Sequence, residues 1–206
     1  MTDHSGFKAL TKIDMNSKAI ESLPAPSADN DAVRKIYIDD KTVTRSIWLP
    51  ASVFKIGYGS PTEGMTGPAS YDKMPYWALD DTVREEVGTN WYCPANVTGN
   101  VKYEMFICMA GANVSKVVSL RFYWTHIAEG NQVDTARTEA GYVVSIPDTA
   151  LELAIKSAEI ASAGKTGKIW RVAAGRWSHQ PADTAAGDLW FLGYRISWTE
   201  KIMNNQ

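Results

Sequence analysis

Leu189-Trp190-Phe191-Leu192-Gly193-Tyr194-Arg195-Ile196-Ser197-Trp198 is the stretch that decides the fold class. Its pattern repeats with a period of two. Leu189, Phe191, Gly193, Arg195 and Ser197 fall on one side of an extended chain, and Trp190, Leu192, Tyr194, Ile196 and Trp198 fall on the other. Successive side chains of a strand point to opposite faces, so the second set, uniformly large and apolar, is expected to be the core face of a half-buried strand.

The same texture extends back to Lys41: segments rich in Trp, Tyr, Phe, Val and Ile are punctuated by Gly, Pro, Asn and Asp at intervals typical of all-β sandwiches. Strands are predicted near 45–54, 76–79, 85–93, 101–109, 117–127, 141–146, 168–177 and 188–199. Residues 149–160 fit two periods. Leu151, Leu153 and Ile155 alternate as in a strand, while Leu151, Ala154, Ile155 and Ala158 would make a helical stripe; strand is the reading taken. The Gly-, Pro- and Met-rich stretch 57–75 reads as a long loop of the kind that carries function or an interface. The expected fold is mainly β: a jelly-roll-like antiparallel β-sandwich over 41–206, preceded by a short N-terminal arm and one short helix within 1–40.

A chain of 206 residues suits one domain plus a short appendage. Its 45% apolar and 21% charged residues are ordinary globular usage, which argues against global disorder, a collagen-like chain or a coiled-coil rod. The net charge is −2 and no block of Lys or Arg occurs, so nucleic acid is not an expected partner. Apolar runs are strand-sized and broken by charges, and residues 1–10 lack the apolar core of a signal peptide; neither membrane insertion nor secretion is expected, and assembly in a cytoplasm is. Cys93 and Cys108 lie in separate apolar segments without CxxC spacing and are expected to be buried free thiols.

Residues 1–12 are polar and aperiodic, the composition of a flexible arm. After Pro24 and Pro26, the capping-competent Ser27, Asp29 and Asn30 lead into Asp31-Ala32-Val33-Arg34-Lys35-Ile36-Tyr37-Ile38, whose Val33, Ile36 and Tyr37 share one helical face. A helix of about three turns is marginal alone, so that face needs a neighbour to cover it.

Ile13-Asp14-Met15-Asn16, then Ile20, Leu23 and Pro24, then Asp31-Ala32-Val33, Lys35 and Tyr37-Ile38-Asp39 resembles a short module of tailed-phage fibre, spike and head-decoration proteins. Ser17 stands where that pattern commonly has Gly, and Ser22 where it often has Asn. Arg171-Val172-Ala173-Ala174-Gly175-Arg176, followed by Asp183-Thr184 and Gly187-Asp188-Leu189-Trp190-Phe191-Leu192-Gly193-Tyr194-Arg195-Ile196, is similar to the last hairpin of jelly-roll domains on phage fibres and capsid decorations. The resemblance implies a homotrimer of sandwiches on the virion surface, docked to other virion proteins through the N-terminal segment. Ile13, Asp14, Met15, Asn16, Ile20, Leu23, Val33, Ile36 and Tyr37 would carry attachment and trimerisation.

Chemistry-bearing groups are sparse. Asp80-Asp81 and Glu85-Glu86 could supply a glycosidase acid and nucleophile, but a polar turn between strands is the preferred reading. Asp183 and Asp188 could take calcium, but an Asp bonded to its own turn explains them as well. His4, His126 and His179 form no HExxH or HxH pair, and no Gly-x-Ser-x-Gly or P-loop occurs. No catalytic residue, metal site or cofactor is expected. Among the eight tryptophans, Trp91, Trp124, Trp190 and Trp198 are expected in the core or a subunit interface; Trp177, with His179 beside it, is the candidate for contact with a host-surface glycan. The favoured function is therefore a non-enzymatic virion structural protein, a capsid decoration, head fibre, or short tail fibre or spike. A carbohydrate-binding module is the alternative, and a polysaccharide depolymerase a more distant one.

Overall fold

The computed structural model describes residues 41–67, 73–133 and 136–202. The predicted arm, the predicted helix and all nine attachment residues from Ile13 to Tyr37 lie outside the described residues.

Among the described residues eleven strands follow one another: β1 (Thr42–Pro50), β2 (Lys55–Tyr58), β3 (Thr62–Thr66), β4 (Met74–Leu79), β5 (Arg84–Cys93), β6 (Val97–Met109), β7 (Val117–Ile127), β8 (Thr138–Ser145), β9 (Ala154–Ala161), β10 (Lys168–Trp177) and β11 (Leu189–Lys201). A 3-10 turn, Ala51–Val53, joins β1 to β2. The strands form two antiparallel sheets. One runs β3-β4-β11-β6-β9, with β1 also paired to β11; the other runs β2-β5-β10-β7-β8. From β4 to β7, and again from β8 to β11, the chain alternates between sheets, which is the jelly-roll-like antiparallel sandwich the alternation predicted.

The last strand departs from its expected pattern in one decisive respect. Leu189, Trp190 and Phe191 pair with Met109, Cys108 and Ile107, but Gly193 then pairs with Phe106, leaving Leu192 as the extra residue of a bulge. The bulge reverses the parity of the alternation. Leu189, Phe191, Tyr194 and Ile196 are the core residues, each at most 1% exposed, and Trp198 packs against them. Trp190, expected in the core, instead stacks on Tyr76 at 4.0 Å and lies outside the core cluster. Gly193 has φ +144 and a Cβ there would meet the Leu49 carbonyl oxygen at 2.4 Å, so the bulge requires glycine.

Two further expectations are corrected. Residues 57–75 are not one long loop, because β2 ends and β3 lies inside them, with Thr62 to Thr66 paired to Ala78 to Met74. Residues 149–160 do hold a strand, but it begins at Ala154. Ala158 and Ile160 face the core, whereas Leu151, Leu153 and Ile155 are about half exposed.

The core is dominated by aromatic rings. Trp91, Tyr103, Trp170, Tyr194, Phe122, Phe191 and Phe54 form a contiguous series with centroids 4.7 to 6.4 Å apart. Burying each such ring contributes about 1.5–3 kcal/mol. Their polar handles are satisfied: Trp91 Nε1 donates to the Tyr103 hydroxyl at 3.0 Å, Trp170 Nε1 to the Lys165 carbonyl at 2.9 Å, and the Tyr194 hydroxyl to the Ala173 carbonyl at 3.0 Å. That last bond ties β11 in one sheet to β10 in the other. It pins β10, the central strand of the five-stranded sheet, from beneath.

Candidate functional site

The outer face of the five-stranded sheet is built from rows of residues in register. Lys55, Gly88, Ala173, Tyr123 and Glu139 form one row across β2-β5-β10-β7-β8. Asn90, Arg171 and Thr125 form the row on one side of it, and Tyr58, Glu86, Gly175, Arg121 and Gly141 the row on the other. In the first row the small residues, Gly88 and Ala173, occupy the middle of the sheet, with Lys55, Tyr123 and Glu139 on the flanks.

The consequence is a groove of about 710 Å³. Gly88 and Ala173 lie along its floor, and Lys55, Gly57, Asn90, Tyr123, Thr125, Arg137 and Arg171 contribute to its lining. The floor is tightly made, since a Cβ on Gly88 would lie 3.3 Å from that of Ala173. A cleft of this size lined by small residues, by Tyr123 and Trp124 and by a few polar groups has the proportions of a small-molecule or oligomer site.

Beside the groove an arginine–aromatic cluster surrounds one acid. Glu86 is fully buried although it belongs to an outer face. Arg84 Nε donates to its Oε1 at 2.6 Å, and Arg137 Nη1 stands 2.6 Å from its Oε2. The Arg137 approach is electrostatic rather than directional, for Oε2 accepts no well-aligned hydrogen bond. Arg84 lies over the rings of Trp177 at 4.4 Å and Tyr58 at 4.9 Å, Arg121 over Trp177 at 4.3 Å, and Arg137 over Tyr123 at 4.3 Å. Two glycines let these side chains lie flat. A Cβ on Gly175 would meet Glu86 Cγ at 2.8 Å, and one on Gly141 would overlap the Arg121 guanidinium. Burial, reinforced by Glu86, pushes the Tyr123 phenol well above its ordinary range. Burial, the largest single influence, pulls Arg84 down, but its hydrogen bond to Glu86 and the charges of Glu86, Tyr123 and Glu139 together leave it raised.

Trp177 ends β10 beside this cluster, and its Nε1 donates to the Tyr123 hydroxyl. Its ring is already engaged by two guanidinium groups and by His179, stacked at 5.5 Å. It therefore buttresses Tyr123, which lines the groove together with Trp124 while Arg137 lies over its ring and only 3% of the residue is exposed.

The remaining candidates separate. Glu85 and Glu86 are neighbours in β5 and point to opposite faces, so they cannot flank one scissile bond. Glu85 accepts from the backbone N–H groups of Ser60 at 3.1 Å and Asp80 at 2.8 Å, and Asp80 itself caps the turn at Thr82 and Val83. The pair was expected in a polar turn; both glutamates are instead buried strand residues. Asp183 does not bond its own turn through its side chain but pairs with Arg176 on β10, and accepts from the Ser119 N–H at 2.9 Å. Asp81 accepts from the Gly187 N–H. His126, near the end of β7, is held below its ordinary pKa by burial and by Lys168 and Lys165. Among the described residues no three of His, Cys, Asp and Glu are grouped so as to hold a metal ion. Cys93 and Cys108 are buried and free.

Sequence reasoning missed Lys55, Asn90, Tyr123, Arg137 and Arg171. A signal was present in the outward positions of three strands: Arg84-x-Glu86-x-Gly88-x-Asn90, Arg121-x-Tyr123-x-Thr125 and Arg171-x-Ala173-x-Gly175-x-Trp177 all begin with Arg and carry polar or aromatic residues, with Gly or Ala among them in the first and third. Only the register aligns the small ones.

No protein-family model matches the chain, and no curated protein does. Among solved structures it is similar to CBM35 from Paenibacillus barcinonensis, with TM-score 0.47 and 8% identity over 73% of this chain and 97% of that one. It is also similar to a xylan-binding module, CBM15, with TM-score 0.44 and 14% identity over 76% and 97% of the two chains. A family 35 carbohydrate binding module from Clostridium thermocellum aligns with TM-score 0.42 and 14% identity over 74% and 97%.

Proposed function

We propose that the sandwich is a non-catalytic glycan-binding head. The observation that carries this reading is the groove across the five-stranded sheet, whose floor of Gly88 and Ala173 lets a chain approach the backbone closely while the exposed Asn90 and the half-buried Arg171 offer hydrogen-bonding groups. Glu85 and Glu86 point to opposite faces, which supports binding rather than hydrolysis. The test is a glycan array probed with the whole chain and with Gly57→Leu. A Cβ at residue 57 meets only ordinary contacts, at 3.5 Å and beyond, so the variant keeps the fold and obstructs the groove. Binding by the native chain and its loss in the variant are expected; no binding, or binding untouched by the variant, overturns the reading.

The resemblance of the N-terminal pattern from Ile13 to Asp39 to phage fibre and decoration proteins supports a phage particle as the setting of this head, with residues 1–40 attaching the chain as a trimer. Glycan binding and decoration are compatible roles. Trp48 and Ile155, both more than 40% exposed on the six-stranded sheet, offer apolar surface that self-association would cover. Co-purification with particles and a trimer by light scattering are expected. A stable monomer found free of particles overturns this part and leaves glycan binding standing.

A further inference from the structure

We infer that the ligand of the groove is an acidic glycan, one bearing carboxylate or sulfate groups. This rests on the glycan-binding reading above and adds the charge of the partner. Three cations, Lys55, Arg137 and Arg171, line the groove, and no Asp or Glu is among its described lining residues. That bias is local, because the chain as a whole carries −2.

The charges next to the groove point the same way. Arg84 and Arg137, the latter also a groove residue, both pair with the buried carboxylate of Glu86, and Arg121 lies over Trp177 beside them, so even with Glu139 acting on Arg84 the cluster keeps a positive surplus. Arg121 Nε is buried and has no hydrogen-bond partner. Glu139 ends the Tyr123 row on β8 but is not part of the groove wall. Arg171 directs Nη2 to the Val133 carbonyl at 3.2 Å, which leaves most of the five donors of its guanidinium for a ligand.

A guanidinium presents two parallel N–H groups that match the two oxygens of a carboxylate or sulfate, and such charge-assisted bonds are the strong ones. A neutral glycan in the same groove would cover Lys55 and Arg171 without pairing them, and burying an unpaired charge is costly. The groove therefore selects for anionic sugars by attraction and against neutral ones by desolvation.

Calorimetric titration of the whole chain tests this with four probes of similar length: an oligogalacturonate, a heparin-derived oligosaccharide, a neutral xylo-oligosaccharide and a single-stranded oligonucleotide. One or both acidic saccharides are expected to bind at least about tenfold more tightly than the neutral one, with the preference shrinking as salt is added. The carboxylated and sulfated arms identify which anion is read, and either supports the inference. Lys55→Gln and Arg171→Gln should each weaken acidic binding about tenfold, with melting temperatures close to that of the native chain. Neutral binding equal to or tighter than acidic binding overturns the acidic assignment and leaves glycan binding intact. Tightest binding of the oligonucleotide overturns it in favour of a generic polyanion surface. No binding of any saccharide overturns both readings.

Discussion

Arg176 and Asp183 form an ion pair from which solvent is shut out: Nη2 to Oδ1 is 2.9 Å, Nε to Oδ2 is 3.1 Å, and the two side chains are 0% and 1% exposed. Arg176 also donates to the carbonyls of Gly187 at 2.6 Å and Ala185 at 2.7 Å, so it binds β10 to the connection that leads into β11. Removing one member of such a pair leaves the other charged and buried. Asp183→Ala is therefore expected to cost about 3–5 kcal/mol, read as a lower urea midpoint. A loss below about 1 kcal/mol would show that water reaches Arg176 and that the pair is not structural.

Gly193 permits the bulge that reverses the parity of β11. With φ +144 and the Leu49 carbonyl oxygen 2.4 Å from any Cβ, Gly193→Val should lose at least about 1–3 kcal/mol through strain alone. Because the bulge also sets which residues of β11 face inward, near-ultraviolet circular dichroism of the core tyrosines and tryptophans should change along with the melting temperature. An unchanged spectrum and melting temperature would contradict the bulge.

Burial raises the pKa of both Cys93 and Cys108 to about 11. The thiolate is the reactive form, so a disulfide reagent at neutral pH should modify neither residue on the minutes scale in native protein and both at once in denaturant. Rapid modification of the native chain would mean that one of the two is reached by solvent.

Glu104 is held below the ordinary glutamate range, first by its hydrogen bond from Arg195 at 2.6 Å and further by Lys102. A carboxylate with a depressed folded pKa contributes stability that is present above the ordinary glutamate range and is lost as pH falls through the lower folded value. The native chain should therefore lose stability as pH falls through and below the ordinary glutamate range, and Glu104→Gln should show a shallower decline over that window. Equal slopes for the two proteins would remove Glu104 from the acid response.

The period-two alternation of 189–198, with the apolar, turn-punctuated segments that follow Lys41, determined from the residues alone that the chain is a β-sandwich, because a strand's side chains must divide between two faces and only a second sheet can cover so many apolar ones. It also located Val117–Ile127 and Lys168–Trp177 at their observed ends. Local pattern could not reveal that Leu192 is extruded, for a bulge is a mismatch between two strands and is absent from either one; hence Trp190 was expected inside and Phe191 outside, the reverse of what is found. The groove was hidden for the same reason. Gly88, Ala173 and Tyr123 are separated by long stretches of sequence and become a floor and a wall only when β5, β10 and β7 pair in one register. Residue types and their period decided which segments are strands; partner choice and register, which arise from packing the two sheets around the Trp91, Trp170 and Tyr194 core, decided what the outer face presents to a ligand.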